Sequence, residues 1–295
     1  MEKIKSFIQK VISYITAIAM IFSQLAYAAK SDRRAYPVAE DSIRVMSFNV
    51  LTLGAEENFI TSRLGLVTRT IAEYMPDSFG LQEAHYGWIA WLNLTLPEYN
   101  YVGVGRDDGK YGGEFSAIYY LRAKYRVLDS GTFWLSETPD EPSYGWDADC
   151  RRVCTWAMLE NKKTGEQYVH MNTHFDNAGA EARKNSVDMI LAKAAEFDLP
   201  LICTGDFNFR QGSALYNKIT STGLLHDTKF LAPDTMDAPT YHGFSATPNP
   251  AVIIDFIFVN NKVSPMVYRV ITEPQNSRQP SDHYPLYADV IINAD

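Results

Sequence analysis

Cysteine is scarce in this chain, with three residues among 295, at positions 150, 154 and 203. An odd number leaves at least one thiol unpaired. Cys203 lies inside an apolar run, which predicts a small buried core residue. Cys150 and Cys154 can pair only if the chain bends between them, because an extended segment holds them too far apart. The cysteines and histidines also lack the spacing of a zinc site.

Runs of lysine and arginine are also missing, and acidic residues exceed basic ones by 35 to 27, for a net charge of −8. Non-specific binding of nucleic acid depends on many lysine and arginine contacts to phosphates. The composition therefore disfavours an enzyme that moves along a nucleic-acid polymer, although it does not exclude a local basic cleft. The glycines at positions 105 and 109 lack the spacing of a dinucleotide-binding loop and no helix pattern follows them.

The apolar run from Val11 to Phe22 is too short for a comfortable membrane span. Three lysines precede it, and Ala26-Tyr27-Ala28 follows it. This pattern predicts a secretory signal peptide at residues 1–28, cut after Ala28, with an uncleaved anchor as the alternative. Removing three lysines and one glutamate leaves 24 basic and 34 acidic residues, a net charge of −10. We expect export to the periplasm or the extracellular space, no stable membrane insertion after cleavage, and a monomer.

Strand and helix patterns alternate along the rest of the chain. Residues 29–41 are polar and lack periodicity, which predicts a linker, and residues 42–295 are predicted to form one domain. Apolar residues alternate from Ser42 to Val50, as in a strand, and recur at helical spacing from Ile60 to Ile71. The alternation predicts the α/β class, and hairpin-like strand runs indicate sheets that are not purely parallel. Residues 131–149 are predicted to be a long insert between strands.

Acidic, amide and imidazole side chains stand at or just past the ends of the predicted core strands. The clearest case is the run from Leu199 to Arg210, where a buried strand stops at Gly205 and Asp206 and Asn208 follow. If Asp206 and Asn208 are considered alone, the alternative is that they are ordinary turn residues after a strand. Ligand-binding residues gather at strand ends in α/β sheets, so the repetition indicates an active site. The other members of the set are Asn49, Glu83, His174, Asp282 and His283.

These motifs resemble the endonuclease/exonuclease/phosphatase superfamily, the DNase I-like divalent-metal phosphoesterases. The resemblance implies a four-layer α/β sandwich, in which two packed mixed β-sheets are flanked by helices, built by one catalytic domain at residues 42–295. Residues 105–110, 131–139 and 145–148 resemble one branch of exported microbial members. The matching segments are Ser47-Phe48-Asn49-Val50, Leu81-Gln82-Glu83, Thr173-His174, Gly205-Asp206-Phe207-Asn208, Ile254-Asp255 and Ser281-Asp282-His283.

The resemblance also implies roles for the strand-end residues. Glu83 would be the first ligand of Mg²⁺ or Mn²⁺, because hard cations prefer carboxylate oxygens. Asn49 would help to hold that metal, and Asp282 would touch a metal directly or through water. Asp206 would orient or deprotonate the attacking water, and Asn208 would contact the phosphoryl oxygens.

Two histidines complete the implied catalytic set. His174 and His283 would donate to non-bridging phosphate oxygens and stabilise the charge that develops there. Asp255 would hold His283 in one tautomer and favour its cation. The sequence departs from the abasic-site endonucleases at Leu51, where those enzymes carry an aspartate, and this weakens the case for a DNA-repair role.

Four further residues are candidates for substrate binding. Arg152 is either a phosphate contact or a brace for its loop, and Arg106 is a second basic candidate. Glu114 is either a partner for the first histidine or a solvated side chain. Trp146, with Trp134 in the same insert, either forms a stacking wall for a sugar or base or packs within the loop, since long inserts are often functional.

These features predict an exported, metal-dependent phosphoester hydrolase that acts on a small or carbohydrate-type phosphate, monoester or diester, by metal-assisted in-line attack of water. The signal peptide and the acidic surface favour this class of substrate. A secreted nuclease acting on DNA or RNA is the alternative within the same chemistry. A non-catalytic binding module that kept the fold is the alternative from a different class.

Overall fold

The computed structural model describes residues 34–52, 57–275 and 277–293, together with isolated positions before residue 34. The predicted signal peptide at residues 1–28 and the first part of the predicted linker lie outside the continuously described ranges. Within the described part of the chain, no helix is both long and apolar enough to cross a membrane.

Strands and helices alternate as the sequence predicts. Within the continuously described ranges the helices are α1 (Glu57–Tyr74), α2 (Tyr86–Thr95), α3 (Ala180–Ala195), α4 (Ala214–Thr220) and α5 (Thr228–Leu231). The strands are β1 (Ile43–Asn49), β2 (Ser78–Gln82), β3 (Ala84–His85), β4 (Tyr99–Val102), β5 (Glu114–Phe115), β6 (Ile118–Leu121), β7 (Tyr125–Trp134), β8 (Val153–Asn161), β9 (Gln167–His174), β10 (Leu201–Asp206), β11 (His226–Asp227), β12 (Asp255–Val259), β13 (Val263–Val270) and β14 (Leu286–Ile292).

Two six-stranded mixed sheets form the body of the molecule. Their strand orders are β13-β14-β1-β2-β6-β4 and β11-β12-β10-β9-β8-β7. In the first sheet β1 runs parallel to β2, so Asn49 lies opposite Gln82 at the carboxyl ends of both strands. In the second sheet β9 runs parallel to β10, and His174 lies opposite Asp206. The antiparallel strand β12 places Asp255 on the other side of Asp206.

Alternating side chains of the strands build three apolar layers. Val45, Ile202 and Leu286 belong to the layer between the two sheets. On the outer face of the first sheet, strand residues pack against α1 and α2. On the outer face of the second sheet, strand residues including Cys203 pack against α3 and α4. The order helix, sheet, sheet, helix confirms the predicted α/β sandwich of two mixed sheets flanked by helices.

The sheets approach each other closely beneath the strand ends. A Cβ atom on Gly80 would lie 2.2 Å from Oδ1 of Asn172, so only glycine fits at this position of β2. Around this point the inter-sheet layer is polar, and Asn172 donates to the carbonyls of Leu81 and Ala117 at 2.8 and 3.0 Å. These hydrogen bonds fix the spacing of the two sheets directly below the strand-end residues.

The boundaries differ from the prediction mainly around the insert. Strand β7 continues to Trp134, so the segment without regular structure begins after that residue rather than at Gly131. Strand β9 includes His174, so this site residue is the last residue of its strand. The three cysteines are free thiols, so the pairing of Cys150 with Cys154 does not occur in this structure.

Candidate active site

Asp206 ends β10 and lies at the centre of the strand-end residues. Its side chain is buried, with Oδ2 accepting a hydrogen bond from Asn49 Nδ2 at 3.0 Å and Oδ1 accepting one from the backbone N–H of Asn208 at 3.0 Å. Burial, reinforced by the charge of Asp255, raises the pKa of Asp206 to about 7, although His283 and these hydrogen bonds oppose the shift. A carboxyl group with this pKa can exchange a proton near neutral pH.

His283 forms a buried pair with Asp255. Nδ1 of the imidazole lies 2.9 Å from Oδ2 of Asp255, and Nε2 lies 3.7 Å from Oδ2 of Asp206. Burial lowers the pKa of His283, but the Asp255 and Asp206 carboxylates outweigh burial and raise it to about 10. His283 is therefore an imidazolium at neutral pH, with its Nε2 proton on the side of Asp206 and the cavity.

Replacing Asp255 by asparagine should lower the pKa of His283, because the cation loses its closest carboxylate while burial remains. Titration of the imidazole, followed by NMR shifts of its ring nitrogens in wild type and Asp255→Asn, measures this directly. His170, which is buried between the sheets and contacts Ser78 and Thr204, is the internal control and should not change. An unchanged titration of His283 would mean that Asp255 does not hold the proton there.

His174 and Asn208 form a second contact at the strand ends. Burial lowers the pKa of His174 well below its usual value, and the charges of Arg152 and Arg106 add to the shift. His174 is therefore neutral, and its Nε2 lies 3.2 Å from Nδ2 of Asn208. The same amide nitrogen donates to the carbonyl of Phe175 at 2.9 Å. This leaves the amide oxygen as the side-chain atom that Asn208 offers to a ligand.

The acidic side of the site is formed by Glu83 and Asp282. Glu83 accepts hydrogen bonds from Asn49 Nδ2 at 3.0 Å and from the backbone N–H of Thr52 at 2.8 Å. Burial raises the pKa of Asp282 above its usual range, and the charge of Glu83 adds to this effect, while His283 opposes it. Glu83 also adopts a left-handed backbone conformation, with φ of 61°, which is uncommon for a residue with a side chain and is typical of functional turns.

A cavity of about 480 Å³ opens at these strand ends. Its basic side carries Arg152 and Arg106, and Arg106 lies 2.7 Å from Oε2 of Glu114. That carboxylate lies 4.0 Å from Nδ1 of His174, so Glu114 stands between the arginine and the imidazole. The predicted site residues that line the cavity are Glu83, Arg106, Glu114, Arg152, His174, Asp206, Asn208, Asp282 and His283.

Three of the predicted site residues, Asn49, Asp255 and Trp146, do not line the cavity. Asn49 and Asp255 lie behind it, where they contact Asp206 and His283. Trp146 is not part of the cavity wall, and its backbone N–H donates to Glu137 at 3.1 Å. Trp134, the last residue of β7, is buried, and its indole N–H donates to the carbonyl of Arg106 at 2.7 Å, so it does not form a wall of the cavity.

Several residues around the cavity were not selected from the sequence. Tyr241, Asn177 and Cys150 line it, and Tyr241 places its ring edge against His283, with ring centroids 4.8 Å apart. Below the cavity, a buried hydrogen bond of 2.7 Å joins Gln82 to Asn172 across the two sheets. The sequence signal for that contact is a polar residue at an inward position of an otherwise apolar core strand.

Comparison with known proteins agrees with this geometry. A mannosyl-6-phosphatase from Bacteroides thetaiotaomicron VPI-5482 superposes with a TM-score of 0.80 and 33% identity, over 84% of this chain and 99% of that one. D. rerio TDP2, complexed with single strand DNA product, superposes with a TM-score of 0.68 and 19% identity, over 85% and 99% of the two chains. Identity at that level shows the fold alone.

Nocturnin from Rattus norvegicus is 24% identical over 281 residues, which is 82% of this chain, and the chain spans about 63% of the length of that relative. The model of the Endonuclease/Exonuclease/phosphatase family matches residues 46–283, a span that contains every strand-end residue described above. The chain therefore belongs to the Endonuclease/Exonuclease/phosphatase family, whose members are metal-dependent phosphoesterases.

Proposed function

We propose that this protein is an exported phosphatase that uses Mg²⁺ or Mn²⁺ to release phosphate from a small or carbohydrate-type ester. The observation that carries the proposal is the cavity of about 480 Å³, which has an acidic side and an arginine side. Pockets of this volume are typical of small-molecule sites. A sugar phosphate would place its phosphate among the charged groups and its hydroxyl groups against the polar wall.

The donor atoms fit a hard divalent cation. Glu83 and Asp282 offer carboxylate oxygen atoms, which Mg²⁺ and Mn²⁺ prefer over nitrogen or sulfur. Asn49 would hold Glu83 beside the metal by donating from Nδ2, since its Oδ1 accepts from the backbone N–H of Leu51. The buried group Asp206, Asp255 and His283 also brings potential ligand atoms within 4.8 Å of one another. There, however, the imidazole is cationic and its Nδ1 already contacts Asp255, so we assign the metal to the Glu83 side. When bound, the cation would neutralise charge on the phosphate.

The remaining chemistry is assigned to residues of the chain. Asp206 has the pKa of a group that can take a proton from the attacking water. The amide nitrogen of Asn208 already donates to His174 and Phe175, so its amide oxygen would accept a hydrogen bond from that water instead of contacting the phosphoryl oxygens as the resemblance implied. His283, as an imidazolium, would donate from Nε2 to a phosphoryl oxygen and stabilise the charge of the transition state.

Two observations favour a sugar phosphate over a nucleic acid. One structural relative with 33% identity, over 84% of this chain, is a mannosyl-6-phosphatase, whereas the DNA-bound relative shares only 19% identity. The net charge of −8 also disfavours a surface that follows a polyanion. A secreted nuclease remains the alternative within the same chemistry.

The test is a substrate panel with the metal-loaded protein. Hexose 6-phosphates, inositol phosphates, sphingomyelin, plasmid DNA and RNA are compared at equal enzyme concentration by release of phosphate or by nicking. We expect phosphate release from the sugar esters to exceed every other rate. Fast nicking of plasmid or RNA without phosphate release from sugars would reverse the order of the two functions.

Export is a separate part of the proposal, supported by the pattern of residues 1–28. Expression of the full chain, followed by cell fractionation and N-terminal sequencing, tests it. We expect the mature protein outside the cytoplasm, beginning at Ala29. An intact N-terminus in a membrane fraction would support the uncleaved anchor.

A further inference from the structure

Asp176 is a buried carboxylate beside the cavity that the proposed chemistry does not use. It lies between β9 and α3 and is 1% exposed. Oδ1 accepts hydrogen bonds from the backbone N–H groups of Ala178 and Gly179 at 3.0 and 2.7 Å. Oδ2 accepts from the backbone N–H of Cys150 at 3.2 Å and from Nε of Arg152 at 3.4 Å. Asp176 therefore ties the start of α3 to the segment before β8.

Arg152 is fixed on two of its three guanidinium nitrogens. Nε donates to Asp176, and Nη2 donates to Oδ1 of Asn177 at 3.0 Å. The side chain is 6% exposed, and Nη1 has no hydrogen-bond partner among the described residues. An unpaired buried N–H of a charged group is unfavourable, and an anion is its natural partner. Arg152 lines the cavity, so that anion would enter from there.

We infer that Asp176 and Asn177 are positioning residues that hold Arg152 with Nη1 available to the oxygens of the substrate phosphate. The inference rests on the proposed phosphoester substrate and adds the residues that build its anion subsite. It also separates two possible roles of Arg152, since a loop brace alone would not leave a buried guanidinium nitrogen without a partner in a residue that lines the cavity.

The electrostatic environment of Arg152 agrees with this assignment. Burial, with the charges of Arg152 and Arg106, keeps the neighbouring His174 neutral by lowering its pKa. Burial also opposes ionisation of Asp176, but the backbone N–H groups and Arg152 outweigh it, and the pKa of Asp176 is lowered. The carboxylate of Asp176 therefore keeps its charge, and with it the contact to Arg152, through neutral pH.

The experiment measures phosphate binding directly. Asp176→Asn and Asn177→Ala are compared with wild type and Arg152→Ala, each as the metal-loaded full chain, by calorimetric titration with inorganic phosphate. We expect all three variants to bind phosphate about tenfold more weakly, the scale of one charge-assisted hydrogen bond. With the best substrate of the panel, KM should rise by a similar factor while kcat stays within about threefold.

A matched control is available on the surface. Asp234 forms an ion pair with Arg269 at 2.6 Å, away from the cavity lining, and Asp234→Asn should leave phosphate affinity and KM unchanged. A purely structural role would lower the Tm of Asp176→Asn with no change in phosphate affinity, and this would overturn the inference. Asn177 is exposed, so Asn177→Ala decides the question if Asp176→Asn does not fold.

The result is independent of which ester the enzyme cleaves. Weakened phosphate binding in the variants, together with no turnover of sugar phosphates by wild type, would refute the proposed substrate and support the anion subsite at Arg152. Normal phosphate binding in Asn177→Ala and Asp176→Asn, together with fast turnover of sugar phosphates by wild type, would refute the anion subsite and support the proposed substrate.

Discussion

Replacing Asp206 by asparagine is expected to lower kcat by about 10² to 10⁴, the usual contribution of a general base. Asparagine has nearly the same volume as aspartate but cannot accept the proton of the attacking water at neutral pH. The Tm should stay within a few degrees of wild type, because the apolar layers do not change. Initial rates with the best substrate, together with circular dichroism, measure both quantities.

The pH profile of the rate distinguishes loss of the general base from a disturbance of the folded structure. Burial raises the pKa of Asp206 to about 7, so kcat/KM of wild type should fall about tenfold per pH unit below that value as the carboxylate becomes protonated. The residual activity of Asp206→Asn should lack this acidic limb. If the variant kept a tenth of the wild-type rate with the same limb, Asp206 would not be the base.

A second buried aspartate supplies the matched control. Asp227 has a pKa that burial raises to about 6, and it accepts a hydrogen bond from the hydroxyl group of Tyr216 at 3.0 Å. It does not line the cavity. Asp227→Asn should therefore leave kcat and the acidic limb unchanged, which would tie the effect at Asp206 to its place in the site rather than to burial of a carboxylate.

The fold was predictable where side-chain alternation is strong. The strand pattern from Ser42 to Val50 corresponds to β1 (Ile43–Asn49), because its apolar residues alternate between the inter-sheet layer, with Val45, and the outer layer, with Met46 and Phe48. The end of β7 was not predicted, since Gly131 and the residues after it read as a loop. In the structure Gly131 pairs with Trp156, and a Cβ atom would lie 2.8 Å from the indole nitrogen. That requirement comes from a neighbouring strand and is not visible in local sequence.

The site was predictable in its residue types but not in its pairings. Strand ends placed Asp206 and His174 together because the parallel strands β9 and β10 share one edge of a sheet. His283 joins them because it precedes β14, which runs antiparallel to β1. The sequence does not show that Asn208 uses its amide nitrogen on His174 and Phe175. The sequence also does not show which guanidinium nitrogen of Arg152 lacks a hydrogen-bond partner. These features depend on side-chain orientation, which is set by contacts between segments far apart in the chain.

Removal of divalent metal is expected to abolish turnover, and Mg²⁺ or Mn²⁺ should restore it. We also expect Glu83→Gln to need a metal concentration at least about tenfold higher than wild type for half-maximal turnover, because an amide lacks the charge of a carboxylate ligand. Glutamine keeps the size of glutamate, so the contacts with Asn49 and Thr52 are disturbed as little as the change allows. Rates measured against metal concentration after EDTA treatment give both results.

Glu141→Gln is the control for the loss of one negative charge, since Glu141 is exposed and lies outside the cavity lining. Its metal dependence should match that of wild type. Turnover that resists EDTA would overturn the metal mechanism, because the acidic side of the cavity would then have no cation to attract the phosphate. A normal metal requirement in Glu83→Gln would instead move the metal away from Glu83, toward the group formed by Asp206 and Asp255. The two outcomes therefore distinguish whether a metal is needed from where it binds.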